Sequence, residues 1–283
     1  MTRVLVPVAV LEGESVSSGL ISLLGAVDVT VLGYHVLPEQ TPPDQARLQF
    51  EERATSALED LSGEFRAAGG GADHRLVFTH DREQTIDRVT DEIDADAFAV
   101  PGTTGDVERV LVSLSGDVDV DRVLSFVEAL VGGRDIGVTL FLAAEDQAPA
   151  DAAAADASEG PASGEGDDVG TAADVSDAAD LAAARLETAA DRLREAGIDA
   201  DTALAAAGSP FDALIDAVPG HDAVVMGERA PSFRSFVFGD ESERVAAASV
   251  GPVLVVRDRR ESGGEGAEAM PEGAKATPEG DEE

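Results

Sequence analysis

The chain has 283 residues, and its 57 aspartates and glutamates against 20 lysines and arginines give a formal net charge of -37. This balance argues against nucleic acid as a partner, because proteins that neutralise phosphates carry a basic stripe and this sequence has none. The absence of cysteine excludes disulfides, thiolate metal sites and a cysteine nucleophile.

The charged residues also indicate a habitat. Lys275 is the single lysine, and lysine loss with a large excess of acids is typical of a salt-rich cytoplasm. Molar salt screens charge repulsion beyond about 3 Å, and solvated carboxylates keep a protein soluble. The amino terminus leads directly into a strand-like run, and no stretch approaches the roughly eighteen apolar residues of a membrane helix. We therefore expect a cytoplasmic protein of a halophile that does not insert into a membrane.

In the first part of the chain, short apolar strands alternate with stretches of helical period. The strands are predicted at residues 3–10, 29–36, 74–79 and 97–101. The clearest helix carries Phe50 and Phe65 on one face and ends at the three glycines 69–71, which is a C-cap signal. A further helix begins at Asp81, and Gln84 follows at the spacing of a capping box.

The later part of the chain repeats this plan. The sequence RVLV at residues 3–6 recurs at 109–112, and strands are predicted at 109–114, 137–142, 201–206, 223–226 and 252–256. Ser209 and Pro210 form an N-cap and first-turn pair for another helix. Because the repeated strand follows residue 101 so soon, we expect the first half to lack its final helix and strand.

Two segments are too polar to join a core. Residues 144–176 and 259–283 are rich in Ala, Asp, Glu and Gly, and such segments cannot bury enough area to offset their ordering entropy. We predict that both are disordered, the first as an acidic insert and the second as an acidic tail. The domains are then a first half at 1–105 and a second half at 106–258.

Alternating strands and helices predict an α/β fold with two repeated α/β/α sandwich halves. Each half would have a mainly parallel open sheet covered on both faces by helices. We expect the two related halves to pack together as an intramolecular pseudo-dimer. Sheets of this type bind ligands at the carboxyl ends of their strands.

Residues 224–257 carry the most specific pattern in the chain. After a buried strand come Gly227, then Ala230, then eight residues and finally Gly239 and Asp240. The segment resembles the motif of the universal stress protein family, G-x-x-G, nine residues and G-S or G-T, which holds the phosphates of ATP in that family. The resemblance points to the tandem-domain haloarchaeal type. It implies an adenine-nucleotide alpha-hydrolase-like fold over most of residues 3–257 outside the insert, with GTTG at 102–105 as a remnant of the same glycine turn.

The resemblance implies a cofactor site built from the shortened loop and from the end of the strand predicted at 109–114. Its residues are Gly227, Arg229, Ala230, Gly239, Asp240 and Ser115. The pattern departs from the family at three of these positions. Ala230 replaces the second glycine, Asp240 replaces the hydroxyl residue, and Ser115 stands where ATP-binding members have an aspartate. An acid at 240 is explained as a helix N-cap. We expect that no cofactor binds; the alternative is that ATP or another adenine nucleotide binds the altered loop, with Arg229 bridging to the anion.

Other catalytic and metal motifs are absent from the sequence. A P-loop needs Gly-Lys-Ser or Gly-Lys-Thr, whereas Lys275 lies in the tail. There is no G-x-S-x-G and no H-E-x-x-H. Residues 117–121 alternate acids as a calcium loop does, but they lack the glycine and the closing glutamate of that loop. We predict that the protein is not an enzyme and has no metal site.

The function that the resemblance implies is a non-catalytic one in the stress response. The protein would act as a regulatory or protein-interaction module and would bind a protein partner or a second copy of itself. One alternative is an adenine-nucleotide-binding stress sensor that uses the loop from Gly227 to Asp240. Another is a cytoplasmic regulator of a membrane transporter.

Overall fold

A computed structural model of the chain describes residues 1–143, 172–205, 210–230 and 251–258, except the side chains of 172–178. The helices in these ranges are α1 (Ser18–Leu23), α2 (Pro43–Ala67), α3 (Arg82–Glu92), α4 (Val120–Val131), α5 (Ala172–Glu195) and α6 (Pro210–Ala217). The strands are β1 (Arg3–Val8), β2 (Asp28–Val36), β3 (Ala72–Thr79), β4 (Ala97–Val100), β5 (Arg109–Ser113), β6 (Gly137–Ala143), β7 (Ala200–Ala205), β8 (Ala223–Gly227) and β9 (Val253–Val256). None of the described helices is long and apolar enough to span a bilayer.

The nine strands form one sheet in the order β3-β2-β1-β4-β9-β8-β5-β6-β7. Neighbours run parallel except β4 and β9, which pair antiparallel from Ala97 opposite Val256 to Val100 opposite Val253. The predicted mainly parallel α/β sheet is confirmed, but the two predicted sheets are joined into one. The reason is that β4 and β9 would otherwise each leave an apolar edge with unpaired N–H and C=O groups.

Helices cover both faces of this sheet. Every residue of β1 after Arg3 is buried, as expected for a parallel strand with helices on both sides. Helices α1, α2, α4 and α5 pack on one face, through side chains such as Phe65 and Leu193. Helices α3 and α6 pack on the other face, through Val89 and Leu214 among others.

Sequence signals explain several helix ends. The carboxylate of Asp81 accepts a hydrogen bond from the Gln84 N–H at 3.0 Å, which confirms the predicted cap of α3. Helix α2 stops just before Gly69, whose φ of +113° is readily adopted only by glycine, so the predicted glycine stop is confirmed. Asp119 caps α4 in the same way and accepts from the Arg122 N–H at 3.0 Å.

Helix α5 begins inside the predicted acidic insert. It starts at Ala172, inside the range 144–176 given to the insert, and the boundaries of the insert stay a prediction. The alanines of this segment have the highest helix propensity, and the helix continues into the buried residues Leu186 and Leu193. Residues 144–171, and the tail predicted at 259–283, lie outside the described residues.

Two strand pairs, β1 with β4 and β5 with β8, share a hydrogen-bond arrangement at their amino ends. Asp96, directly before β4, accepts from the Arg3 N–H at 3.0 Å, and Asp222, directly before β8, accepts from the Arg109 N–H at 3.0 Å. Each aspartate N–H in turn donates to the carbonyl of the same arginine at 2.9 Å. The repeated RVLV sequence therefore opens the same local structure twice. No helix or strand lies between β4 and β5. The domain boundary at residue 105 stays a prediction.

Candidate functional site at the carboxyl edge of the sheet

The carboxyl ends of β5, β8 and β9 lie side by side, because β8 pairs in parallel with both of the other strands. Ligands bind at this end of open parallel sheets, where the connecting loops separate. The loop after β5 contains residues 114–119, the turn after β8 contains 227–230, and residues 257–258 follow β9. We call these three segments the carboxyl edge.

Ser115 lies at the edge but is buried, with 1% of its surface exposed. Its hydroxyl oxygen accepts a hydrogen bond from the N–H of Ala143 at 2.8 Å. Ala143 is the last residue of β6, so the serine satisfies a buried backbone donor where that strand ends. The hydroxyl is therefore engaged within the protein.

Gly227 ends β8 and is covered by the loop after β5. A Cβ atom at this position would lie 2.7 Å from Cγ1 of Val118, so only glycine lets Val118 approach this closely. Ala230, which is 4% exposed, donates its N–H to the Gly227 carbonyl at 3.0 Å. The glycine and the alanine thus form a closed, packed turn.

Arg229 lies on the solvent side of this turn and is paired with acids. Its side chain is 61% exposed, and its Nε lies 2.6 Å from Oδ2 of Asp258. Its Nη1 lies 3.4 Å from Oδ2 of Asp117. Arg229, the arginine of the predicted site, is therefore already paired with two carboxylates from neighbouring segments.

A second arginine, Arg257, forms a buried ion pair that the sequence analysis did not anticipate. Its side chain is 7% exposed, with Nη1 2.5 Å from Asp91 of α3 and Nε 3.4 Å from Glu228. Burial lowers the pKa of the Arg257 guanidinium, but the hydrogen bond to Asp91 and the charge of Glu228 outweigh burial and raise it above its ordinary value. Arg257 is thus held charged where α3 meets the carboxyl edge.

Arg122 of α4 completes this junction. Its Nε donates to the Arg257 carbonyl at 2.5 Å, and its Nη2 donates to Asp96 Oδ1 at 3.3 Å. The Arg257 N–H donates to the Asp96 carbonyl at 2.9 Å. The antiparallel pairing of β4 and β9 places these groups together, because it brings the amino end of β4 beside the carboxyl end of β9.

Negative charge dominates the edge. Burial raises the pKa of Asp258, Arg229 opposes this shift, and the charges of Glu228, Asp119 and Asp117 add to the rise. Burial is the largest cause of this rise, and the three neighbouring carboxylates contribute less. A bound polyphosphate would meet the charges of the same three carboxylates.

The structure therefore brings together Ser115, Gly227, Arg229 and Ala230 of the predicted site. Gly239 and Asp240, the two other predicted residues, lie outside the described residues. Val118, Arg257 and Asp258 are the edge residues that the sequence analysis missed. Arg257-Asp258 directly after a buried strand was the available signal, since a charged pair at that position lies at the ligand end of the sheet.

The corresponding edge of β1 and β4 is also packed. The N–H of Ala9, which directly follows β1, donates to Glu14 Oε2 at 2.6 Å. A Cβ atom at Gly19 would overlap the Gly105 carbonyl oxygen, and one at Gly102 would lie 2.5 Å from the carbonyl carbon of Gly251. Gly19 and the remnant glycine Gly102 thus allow close backbone contacts, whereas a Cβ atom at Gly105 would meet nothing within 4 Å.

The sequence model of the universal stress protein family matches residues 106–257, more than half of the chain. The chain belongs to the universal stress protein family. Its matched part begins just before β5 and ends at Arg257, so it includes the loop after β5, the turn after β8 and the first of the two edge residues after β9. The family named from residues 224–257 in the sequence analysis is confirmed.

A solved structure of another family member shows the same fold. A universal stress protein from Archaeoglobus fulgidus DSM 4304 is similar over 90% of this chain and 96% of its own, with 17% identity and a TM-score of 0.53. The cytoplasmic domain of a prokaryotic cation chloride cotransporter is similar over 90% of this chain and 94% of its own, with 8% identity and a TM-score of 0.42. No curated protein sequence matches the chain.

Proposed function

We propose that this universal stress protein acts without catalysis, as a regulatory or protein-interaction module of the stress response. Arg229 and Ser115 give the most direct support. The resemblance to ATP-binding family members assigns their positions to the nucleotide, but here Arg229 pairs with Asp117 and Asp258. The Ser115 hydroxyl accepts from Ala143.

The electrostatics of the edge favour the same function. A nucleotide triphosphate would bring several negative charges to a surface that already holds Asp117, Asp119, Glu228 and Asp258. Each like-charge pair at 4 Å is unfavourable by about 1 kcal/mol even in a water-like medium. To form an attractive contact with Arg229, the nucleotide would also have to displace two carboxylates.

Calorimetric titration of ATP, ADP and AMP into the full chain in molar KCl tests this function. The variants are Arg229→Ala and a control, Arg53→Ala, which changes an exposed arginine of α2. We expect no binding heat from any nucleotide with the wild-type protein and no phosphate release above background. Circular dichroism must show that each protein is folded.

The alternative, an adenine-nucleotide sensor, predicts a different result. Saturable binding to the wild type that Arg229→Ala weakens and Arg53→Ala leaves intact would establish that alternative and refute the closed-edge function. A double variant, Asp117→Asn with Asp258→Asn, frees Arg229 from both carboxylates. We expect it to bind nucleotides more tightly than the wild type, because an unpaired arginine and fewer acids favour an anion.

A further inference from the structure

A cavity of about 670 Å³ lies between α4 and α5 on the helical face of β5 and β6. Most of its lining is apolar and comes from side chains such as Leu114, Val118, Leu124, Leu142 and Ala189. Small-molecule sites typically have volumes of about 300–1,000 Å³ and a largely apolar lining. The cavity therefore has the size and chemistry of a ligand site.

This cavity borders the carboxyl edge, because Leu114, Val118 and Asp119 of the loop after β5 line it. Ser115, Gly227, Arg229 and Ala230 are not among its lining residues. Val118 forms the partition, because it packs against Gly227 on one side and lines the cavity as well. A ligand here would contact residues other than Ser115, Gly227, Arg229 and Ala230.

Charges at the rim select the kind of ligand. Arg192 pairs with Asp121 at 2.8 Å and with Glu128 at 2.8 Å, so its charge is matched. Asp119 accepts the N–H that it caps at the start of α4. Arg185 is exposed, lines the cavity and has no ion-pair partner among the described residues. The α4 side of the rim thus carries the carboxylates Asp119 and Asp121, and the α5 side offers Arg185, a guanidinium without an ion-pair partner among the described residues.

We propose that this cavity binds a small monoanionic amphiphile, with its apolar chain between α4 and α5 and its carboxylate at Arg185. The chain would displace water from the apolar lining, and affinity would rise about fourfold for each methylene that is buried. The carboxylate would form an exposed ion pair with the guanidinium, which contributes little energy but sets the preferred sign of the head group. A cationic head group would face repulsion at the same position.

Isothermal titration with decanoate tests the proposal, with octanoate, 1-decanol and decyltrimethylammonium as comparison probes. The titrations use the full chain in molar KCl and stay below the concentration at which each probe forms micelles. We expect decanoate to bind about fifteenfold more tightly than octanoate, since two methylenes are added. Decyltrimethylammonium should bind several-fold more weakly than decanoate.

Three variants locate the site. Thr188 lines the cavity from an exposed position of α5, so Thr188→Trp fills the space without disturbing the core and should weaken decanoate binding at least tenfold. Arg185→Gln should weaken it about threefold, the effect of an exposed ion pair, and this effect should shrink as KCl is raised. Arg53→Gln removes the same charge from α2 and should change nothing.

Several results would overturn the proposal. They are the absence of saturable decanoate binding to folded wild-type protein, equal affinity in the Thr188→Trp variant, and equal or tighter binding of decyltrimethylammonium. Urea unfolding of each variant shows whether lost decanoate binding reflects a lost fold. We expect each variant to fold, because the substituted positions are exposed. ATP should not displace decanoate, because the two ligands would use different residues.

Discussion

Arg257 offers the sharpest test of how the carboxyl edge is held together. Replacing it with alanine removes the guanidinium that contacts both Asp91 and Glu228. Removing one partner of a buried ion pair typically costs 3–5 kcal/mol. Here the side chains of Asp91 and Glu228 are 46% and 25% exposed, so water can partly solvate them. We therefore expect Arg257→Ala to lower the free energy of unfolding by about 2–3 kcal/mol.

A methionine at the same position separates charge from packing. Arg257→Met keeps most of the buried aliphatic stem, so it should lower the free energy of unfolding by about 1–2 kcal/mol, less than alanine does. Urea unfolding in molar KCl, followed by far-ultraviolet circular dichroism, gives these values by linear extrapolation. Arg229→Ala is the control, because its side chain is 61% exposed and its loss should cost less than about 1 kcal/mol. If Arg257→Ala were no more destabilising than this control, the ion pair would not stabilise the edge.

Three further predictions concern neighbouring groups. Gly227→Ala places a Cβ atom 2.7 Å from Cγ1 of Val118 and should lower the free energy of unfolding by about 1–3 kcal/mol. Adding Val118→Ala should restore part of this loss. If urea unfolding showed that the effects of the two substitutions simply add, the contact would be contradicted. Ser115→Ala removes the acceptor of the Ala143 N–H, so the free energy of unfolding should fall by about 1–3 kcal/mol. Hydrogen exchange of the Ala143 amide should also accelerate. An unchanged exchange rate would show that the hydrogen bond does not protect this amide. Burial raises the pKa of Asp258, so the folded state binds this proton more readily than the unfolded state and stability falls as pH rises above about 4. The urea midpoint of Asp258→Asn should therefore decline less between that pH and neutrality, and parallel profiles would refute the assignment.

The strands could be predicted because burial on both faces leaves a plain signal. All nine predicted strands occur within two residues of their predicted limits, since parallel strands between helices are nearly continuous apolar runs. Asp81 and Gly69 worked as helix signals because capping and left-handed backbone depend on local chemistry. Pairing of β4 with β9 involves residues about 150 positions apart and leaves no local signal, so the union of the two sheets was not predicted.

The candidate site was only partly accessible from the sequence. Gly227 and Ser115 were located through the family motif, but the motif does not predict which side chains pack against them. Val118 on Gly227 and the acids around Arg229 are tertiary contacts between separate loops. Arg257 stands beside a run of charged residues in the sequence, where nothing distinguishes a buried arginine from a solvated one.

The antiparallel contact between β4 and β9 also gives the molecule two opposite poles. The loops after β1 and β4 emerge at one end of the strands, whereas the loops after β5, β8 and β9 emerge at the other. At about 3.3 Å per residue, even a six-residue strand separates the two poles by roughly 20 Å. A small ligand cannot occupy both poles of one copy at once. Two partners could do so without touching each other, and the protein would then serve as a rigid spacer between them.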